Sequence, residues 1–171
     1  GMLSFLPDEV YAKLYYRENT GERLNLENPI TYNEKLWWLK LNNRDPLLTK
    51  CSDKYKVREY VKECGLEHIL TELYGVYDSA DEVDFEKLPD KVFLKTNHGS
   101  GTNILFDRNK PFDIRAFRRK FNRALKQNYF YQSREWNYKN IEPKIIAEEV
   151  LQCNSGVLVD YRFLCFDGEV Q

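Results

Sequence analysis

Residues 91–106 constrain this chain more than any other stretch. They run Lys-Val-Phe-Leu-Lys, then Thr-Asn-His-Gly-Ser-Gly-Thr, then Asn-Ile-Leu-Phe. Two short apolar runs around a glycine-bearing turn predict paired strands, Lys91 to Lys95 and Asn103 to Phe106, so the fold must contain a sheet. The connecting loop can also do chemistry. Its glycines let successive backbone N–H groups turn toward one anion, and the Ser100 and Thr102 hydroxyls add donors. Lys95 contributes a positive charge where the strand ends. The segment matches neither the P-loop pattern nor Gly-x-Gly-x-x-Gly, so a phosphate cradle and a ligand-free hairpin loop are both open readings.

The rest of the chain supplies helices and further strands. Thr31-Tyr32-Asn33-Glu34 reads as a capping box opening a helix through about Leu41, with Leu36, Trp37 and Leu39 as a packing face. Asp45-Pro46 breaks that helix. Ser52 is expected to cap a second helix, Asp53 to Cys64, stopped by Gly65. A strand is expected within Ile69 to Tyr77 and a short acidic helical turn over Ala80 to Lys87. Asp113 caps the clearest helix. Ile114, Phe117, Phe121 and Leu125 form its buried face, and Arg115, Arg118, Arg119, Lys120, Arg123 and Lys126 cover the rest as a solvated surface. Lys144–Leu151 and Leu158–Phe166 read as strands, and Asp167-Gly168 as a two-residue hairpin turn. Only three residues follow, so the strand Leu158–Phe166 is expected to lack a full partner, to be cut in mid-domain, and to offer an open edge for self-association.

Composition narrows the function classes. A hydrophobic fraction of 42% and a charged fraction of 31% belong to a globular chain, one domain or two small lobes. The formal charge of -1 gives no global attraction to nucleic acid, so any anion site must be local. Cys51, Cys64, Cys153 and Cys165 form no Cys-x-x-Cys pair, and His68 and His98 are the only imidazoles, which argues against a zinc site. The thiols are expected to be buried and reduced, as in the cytoplasm. No apolar run reaches membrane-spanning length, and no export segment is evident.

Two further features bear on chemistry. Lys54 lies where a helix is expected to open, beside the positive end of its dipole, although a solvated lysine has the same signature. Glu148 and Glu149 are adjacent at the end of an apolar strand and must face opposite sides, so one of them turns inward or into a cleft. The order of these parts resembles the ATP-grasp fold, an α+β architecture that holds a nucleotide between two lobes. Asp53-Lys54 followed by Gly65-Leu66 is similar to a segment of D-alanine–D-alanine ligases. Five stretches look like the TupA-like ATP-grasp proteins. They are Leu24-Asn25-Leu26 with Pro29, Tyr32 to Lys40, Asp53-Lys54-Tyr55 with Val57-Arg58, Asn97 to Gly101, and Arg134-Glu135-Trp136.

The resemblance implies a nucleotide site. Lys54 and Lys95 would contact the α- and β-phosphates, and His98, Gly99, Ser100, Gly101 and Thr102 would close over them as a flap. Glu148 would hold the adenine amino group, with the Glu149 carbonyl and Leu151 N–H imitating a base pair, and Asp160 would take the ribose hydroxyls. It divides the chain into an N-terminal helical segment, 1–50, a first ATP-grasp lobe, 51–143, and a hinge strand with the start of an incomplete second lobe, 144–171. The family's magnesium ligands, an acidic residue and a Glu-x-Asn motif late in the second lobe, are expected beyond residue 171, so no metal ligand is assigned here. Mg2+ is expected to act with ATP only in a complete protein, and this chain alone is expected not to turn ATP over. The implied parent activates a sugar or amino-acid carboxylate as an acyl phosphate and couples it to an amine, in bacterial cell-surface polysaccharide or teichuronopeptide biosynthesis. Two alternatives stand beside it. One is a glycosyltransferase or carbohydrate-binding protein stacking sugars on Tyr129-Phe130-Tyr131 and Trp136-Asn137-Tyr138; the other is a non-catalytic nucleotide-binding fragment.

Overall fold

The structure is a computed structural model describing residues 5–152, 156, 158–166 and 168–170. In chain order it contains α1 (Asp8–Thr20), α2 (Tyr32–Asn42), α3 (Pro46–Ser52), α4 (Val57–Glu63), β1 (Leu73–Tyr77), β2 (Lys91–Thr96) and β3 (Asn103–Asp107). It continues with α5 (Ile114–Leu125), α6 (Phe130–Ser133), β4 (Ile145–Glu148), β5 (Cys165–Phe166) and β6 (Glu169–Val170). Helices beside an antiparallel sheet make this an α+β fold. No helix among the described residues is long and apolar enough to cross a membrane.

The sheet has the order β1-β4-β2-β3, every neighbouring pair antiparallel. β4 therefore lies inside the sheet, between β1 and β2, rather than on its edge. Its Ile145 and Ala147 join Val92 and Leu94 of β2 and Phe117 and Phe121 of α5 in one core. Phe85 anchors that core, its ring centroid 5.0 Å from Phe106 and 5.2 Å from both Phe112 and Phe117. Residues of the opposite phase, including Phe93, Lys95, Ile146 and Glu148, face away from α5, because successive strand side chains alternate. A second cluster, Tyr11, Ala12, Tyr16, Leu24 and Trp37, joins α1 to α2.

The capping box forms as its spacing predicts. Thr31 accepts a hydrogen bond from the Glu34 N–H, and Glu34 accepts from the N–H groups of Thr31 and Ile30. These bonds hold the Glu34 carboxyl below its usual pKa. Of the apolar face predicted for α2, only Trp37 is buried, in the cluster shared with α1, while Leu36 and Leu39 stay exposed.

Several other expectations need correction. Asp45-Pro46 does follow the end of α2 at Asn42, but it also opens α3, with Pro46 in the first turn and the Asp45 carboxylate accepting from the Leu47 N–H. Ser52 is then the last residue of α3, and Asp53 accepts from the Tyr55 and Lys56 N–H groups to hold a separate turn, after which α4 starts at Val57 without a side-chain cap. Residues 80–87 form turns rather than helix, because Ala80, Val83 and Phe85 are drawn into the core at a non-helical spacing. On α5, Ile114 in the first turn stays exposed and Ala124 is buried in its stead. The strand predicted over Leu158–Phe166 is reduced to Cys165–Phe166. A strand requires a ladder partner, and among the described residues neither sheet edge pairs with 158–164. The predicted hairpin does turn there, pairing Phe166 with Glu169 around Gly168 at φ 83°; Asp167 lies outside the described residues. Cys51, Cys64 and Cys165 are exposed free thiols rather than buried ones, and Cys153 lies outside the described residues.

The core makes a direct prediction. Phe121→Ala should destabilise the protein by about 3–5 kcal/mol, through lost burial plus the cavity left beneath the sheet. Ile114→Ala should change stability by less than about 1 kcal/mol. Urea unfolding of the two variants measures the difference.

Candidate functional site

The site is organised around Asn97, a fully buried amide at the end of β2. Its Nδ2 donates to the Asp53 carboxylate at 2.9 Å and to the Glu142 carbonyl at 2.9 Å. Its Oδ1 accepts from the Lys144 N–H at 2.7 Å, and its own N–H donates to the Lys144 carbonyl at 3.1 Å. One side chain thus ties the α3–α4 turn, the end of β2 and the approach to β4 together. Its backbone carbonyl adds a further link, accepting from the Lys54 N–H at 3.1 Å.

That link places Lys54 against the glycine loop, where its ammonium donates to the Gly99 carbonyl. Lys54 sits in the turn before α4 rather than in a helix's first turn. Burial and then the nearby Lys95 charge push its pKa below the usual lysine range. Lys95, on the sheet face turned away from α5, forms an ion pair with Glu148 of β4. The register explains this: Lys95 opposes Ile146, and Glu148 lies one same-face step further along β4. A half-buried pair of lysines therefore stands beside one buried carboxylate, at the mouth of the loop.

The loop itself has two halves. Asn97 and His98 are buried anchors, whereas Ser100 and Gly101 are exposed at the tip. Gly101 turns the chain at φ 78°, a left-handed conformation natural to glycine, and the Thr96 N–H then donates to the Thr102 carbonyl at 3.1 Å. The His98 ring is committed inward. Its Nε2 lies 3.2 Å from the Ala124 carbonyl and 3.1 Å from that of Gln127, satisfying carbonyls at the C-terminal end of α5. Burial lowers the His98 pKa below its ordinary 6.5. Between the loop and α5 lies a cavity of about 160 Å³, lined by Thr96, His98, Ser100, Thr102, Gln127 and Tyr129 among others.

Lys54, Lys95, His98, Gly99, Ser100, Gly101, Thr102 and Glu148 are thus brought into one neighbourhood. Glu149 faces the other way, as adjacent strand residues must, and its carboxylate accepts from the Glu72 N–H at 3.3 Å. Leu151 follows β4 and is exposed, and Asp160 is exposed in the stretch that joins no strand. The aromatic run is spent largely on packing: Phe130 is buried beneath Arg134 and Lys139, and Tyr129 stacks edge-on against Tyr138 at 5.1 Å. Sequence reasoning missed Asp53 and Asn97. Both are polar residues in polar stretches, and only the burial of Asn97, contributed by segments far apart in the chain, marks it as the joint.

The chain matches the family model described as TupA-like ATPgrasp over residues 34–171. No curated protein and no solved structure matches it.

Two outcomes follow from this geometry. Asn97→Ala leaves the Lys144 N–H and the Asp53 carboxylate short of partners, and should cost about 2–4 kcal/mol in urea unfolding. His98 has a folded pKa below its unfolded one, so below pH 6.5 the unfolded chain binds more protons. Stability should therefore fall as pH drops through this window, and His98→Gln should flatten that part of the profile in melting experiments from pH 7 to 5.

Proposed function

The chain belongs to the TupA-like ATP-grasp family, and from this membership we propose that its paired-lysine cleft binds ATP for an acyl-phosphate-forming carboxylate–amine ligase. ATP-grasp proteins generally bind ATP and Mg2+. In such a reaction ATP supplies the phosphoryl group that turns a carboxylate into an acyl phosphate, and an amine then displaces phosphate to leave an amide. Residues 51–143 are assigned to the first lobe, and 144–171 to the hinge strand and start of the second. The acceptor fits a sugar or amino-acid carboxylate of a cell-surface polymer.

The observation that carries this reading is the convergence of Lys54 and Lys95 beside the glycine loop, with the Glu148 carboxylate paired to Lys95. Lys95 and Lys54 would neutralise phosphate oxygens, the loop's backbone N–H groups would donate to them, and Ser100 at the exposed tip would close above. Binding would exchange the Lys95–Glu148 pair for a Lys95–phosphate contact, releasing the Glu148 carboxylate to accept from an adenine amino group. Asn97 and His98 would act as positioning residues that hold the loop's base while its tip moves. Among the described residues no group of three His, Cys, Asp or Glu side chains could hold a metal ion. Magnesium is accordingly assigned to none of them.

Lys95→Ala should weaken ATP binding by about 1.5–3 kcal/mol, roughly ten- to hundredfold in Kd. Lys126→Ala, on the solvated face of α5, should leave it within about twofold. Calorimetric titration with ATP compares the two, and equal losses would mean that diffuse charge rather than a built site attracts the nucleotide.

A further inference from the structure

Between α1 and α2 lies a cavity of about 240 Å³ that shares no lining residue with the one beneath the glycine loop. Tyr15, Tyr16, Asn19, Asn33, Trp37 and Lys40 are among the residues that line it. Packing of the two helices creates it. Tyr16 and Trp37 are drawn into the cluster that joins α1 to α2, whereas Tyr15 stays 44% exposed. The Tyr15 ring is nevertheless held in place, nearly parallel to Tyr11 at 5.9 Å and tilted against Trp37 at 5.7 Å. Tyr16 is only 4% exposed, yet its hydroxyl has no hydrogen-bond partner among the described residues and is not sealed from solvent. A buried phenol thus offers a donor and an acceptor to the space it lines. The Asn33 amide is likewise without a partner among the described residues, as is Asn19 Oδ1; Asn19 Nδ2 is spent on the Tyr15 carbonyl at 2.8 Å. Tyr15, Tyr16, Asn19 and Asn33 all precede residue 34, so the cavity is built largely from residues ahead of the stretch that the family model matches.

We infer that this cavity is a binding site for a single neutral sugar ring. The C–H face of a pyranose carries small positive partial charges and rests on the negative face of an aromatic ring, which Tyr15 supplies at the cavity wall. Its hydroxyls both donate and accept, matching the mixed needs of the Tyr16 hydroxyl and the two asparagine amides. An apolar side chain would leave those same groups facing hydrocarbon, at a cost. Charge selects for neutrality. Lys40 is the one charged side chain that lines the cavity among the described residues, with its Nζ 4.9 Å from the Trp37 ring centroid. It repels the cationic ligands that an aromatic pocket would otherwise attract. It is also already paired with Glu135 at 3.2 Å, which a carboxylate ligand would have to displace. The inference stands on these residues alone and does not depend on the nucleotide reading.

An NMR titration of the full chain with methyl β-D-glucopyranoside tests it, and saturable shifts at α1 and α2 are expected. Tyr15→Ala should weaken binding about tenfold or more, while Tyr15→Phe, which keeps the ring face, should stay within about threefold. Asn33→Ala removes hydrogen bonds alone, and should cost roughly three- to tenfold without lowering the melting temperature. Tyr131→Ala, at an aromatic of similar exposure on α6, should change binding less than about twofold. ATP affinity should be the same in all four variants, so failure here and failure of the nucleotide site are separately visible. Absence of saturable shifts, or equal losses from Asn33→Ala and Tyr131→Ala, would overturn the proposal. Tighter binding of glucuronate or of a proline-rich peptide would do so too, since the first would make the site one for anions and the second one for polypeptide.

Discussion

The hydrogen bond between the Asn97 amide and the Asp53 carboxylate is the joint on which this architecture depends. It is buried, so neither group has water as an alternative partner, and its loss would leave a carboxylate and an amide stranded in the interior. Asp53 spends the same oxygen on capping the turn that carries Lys54, and Asn97 spends its remaining groups on Glu142 and Lys144. A helix turn, a loop and an inner strand are thereby locked in one relation. The lysines that give the site its character inherit their positions from polar groups that need touch no ligand.

Electrostatics within this frame is finely balanced. Burial and the neighbouring Lys95 charge lower the Lys54 pKa, and Glu148 offsets part of that effect. An anion arriving between the lysines would be welcomed on two counts, by direct attraction and by relief of the like-charge contact. Lys54 meanwhile holds the loop through the Gly99 carbonyl, so the same ammonium that would attract a phosphate also restrains the segment that would cover it.

Much of this was legible in the sequence where the signal was local. The capping box at Thr31, the Asp113 cap, the hairpin flanking the glycine loop and the strand ending at Glu148 all follow from patterns within one short stretch of chain. The misreadings arise where a partner distant in the chain decides. Ser52 and Asp53 are both competent caps, and the choice fell to the one that Asn97, 44 residues away, could also engage. Leu158–Phe166 has a strand's composition, but among the described residues only Cys165 and Phe166 gain a partner, and composition cannot supply one. His98 read as part of a flap because it sits among glycines; its commitment to the end of α5 depends on a helix that begins sixteen residues later.

The position of β4 inside the sheet has a consequence for assembly. β1 and β2 do not touch one another; each is paired to β4, which lies about 50 to 70 residues further along the chain. As the chain emerges from the ribosome, the β2–β3 hairpin and α5 can associate from neighbouring sequence, while β1 has no sheet to join. Insertion of β4 closes the gap, and with it come the Glu142 carbonyl, the Lys144 N–H and the Glu148 carboxylate. The cleft and the sheet are therefore completed by the same strand, and the glycine loop has all of its buried anchors only once β4 is in place.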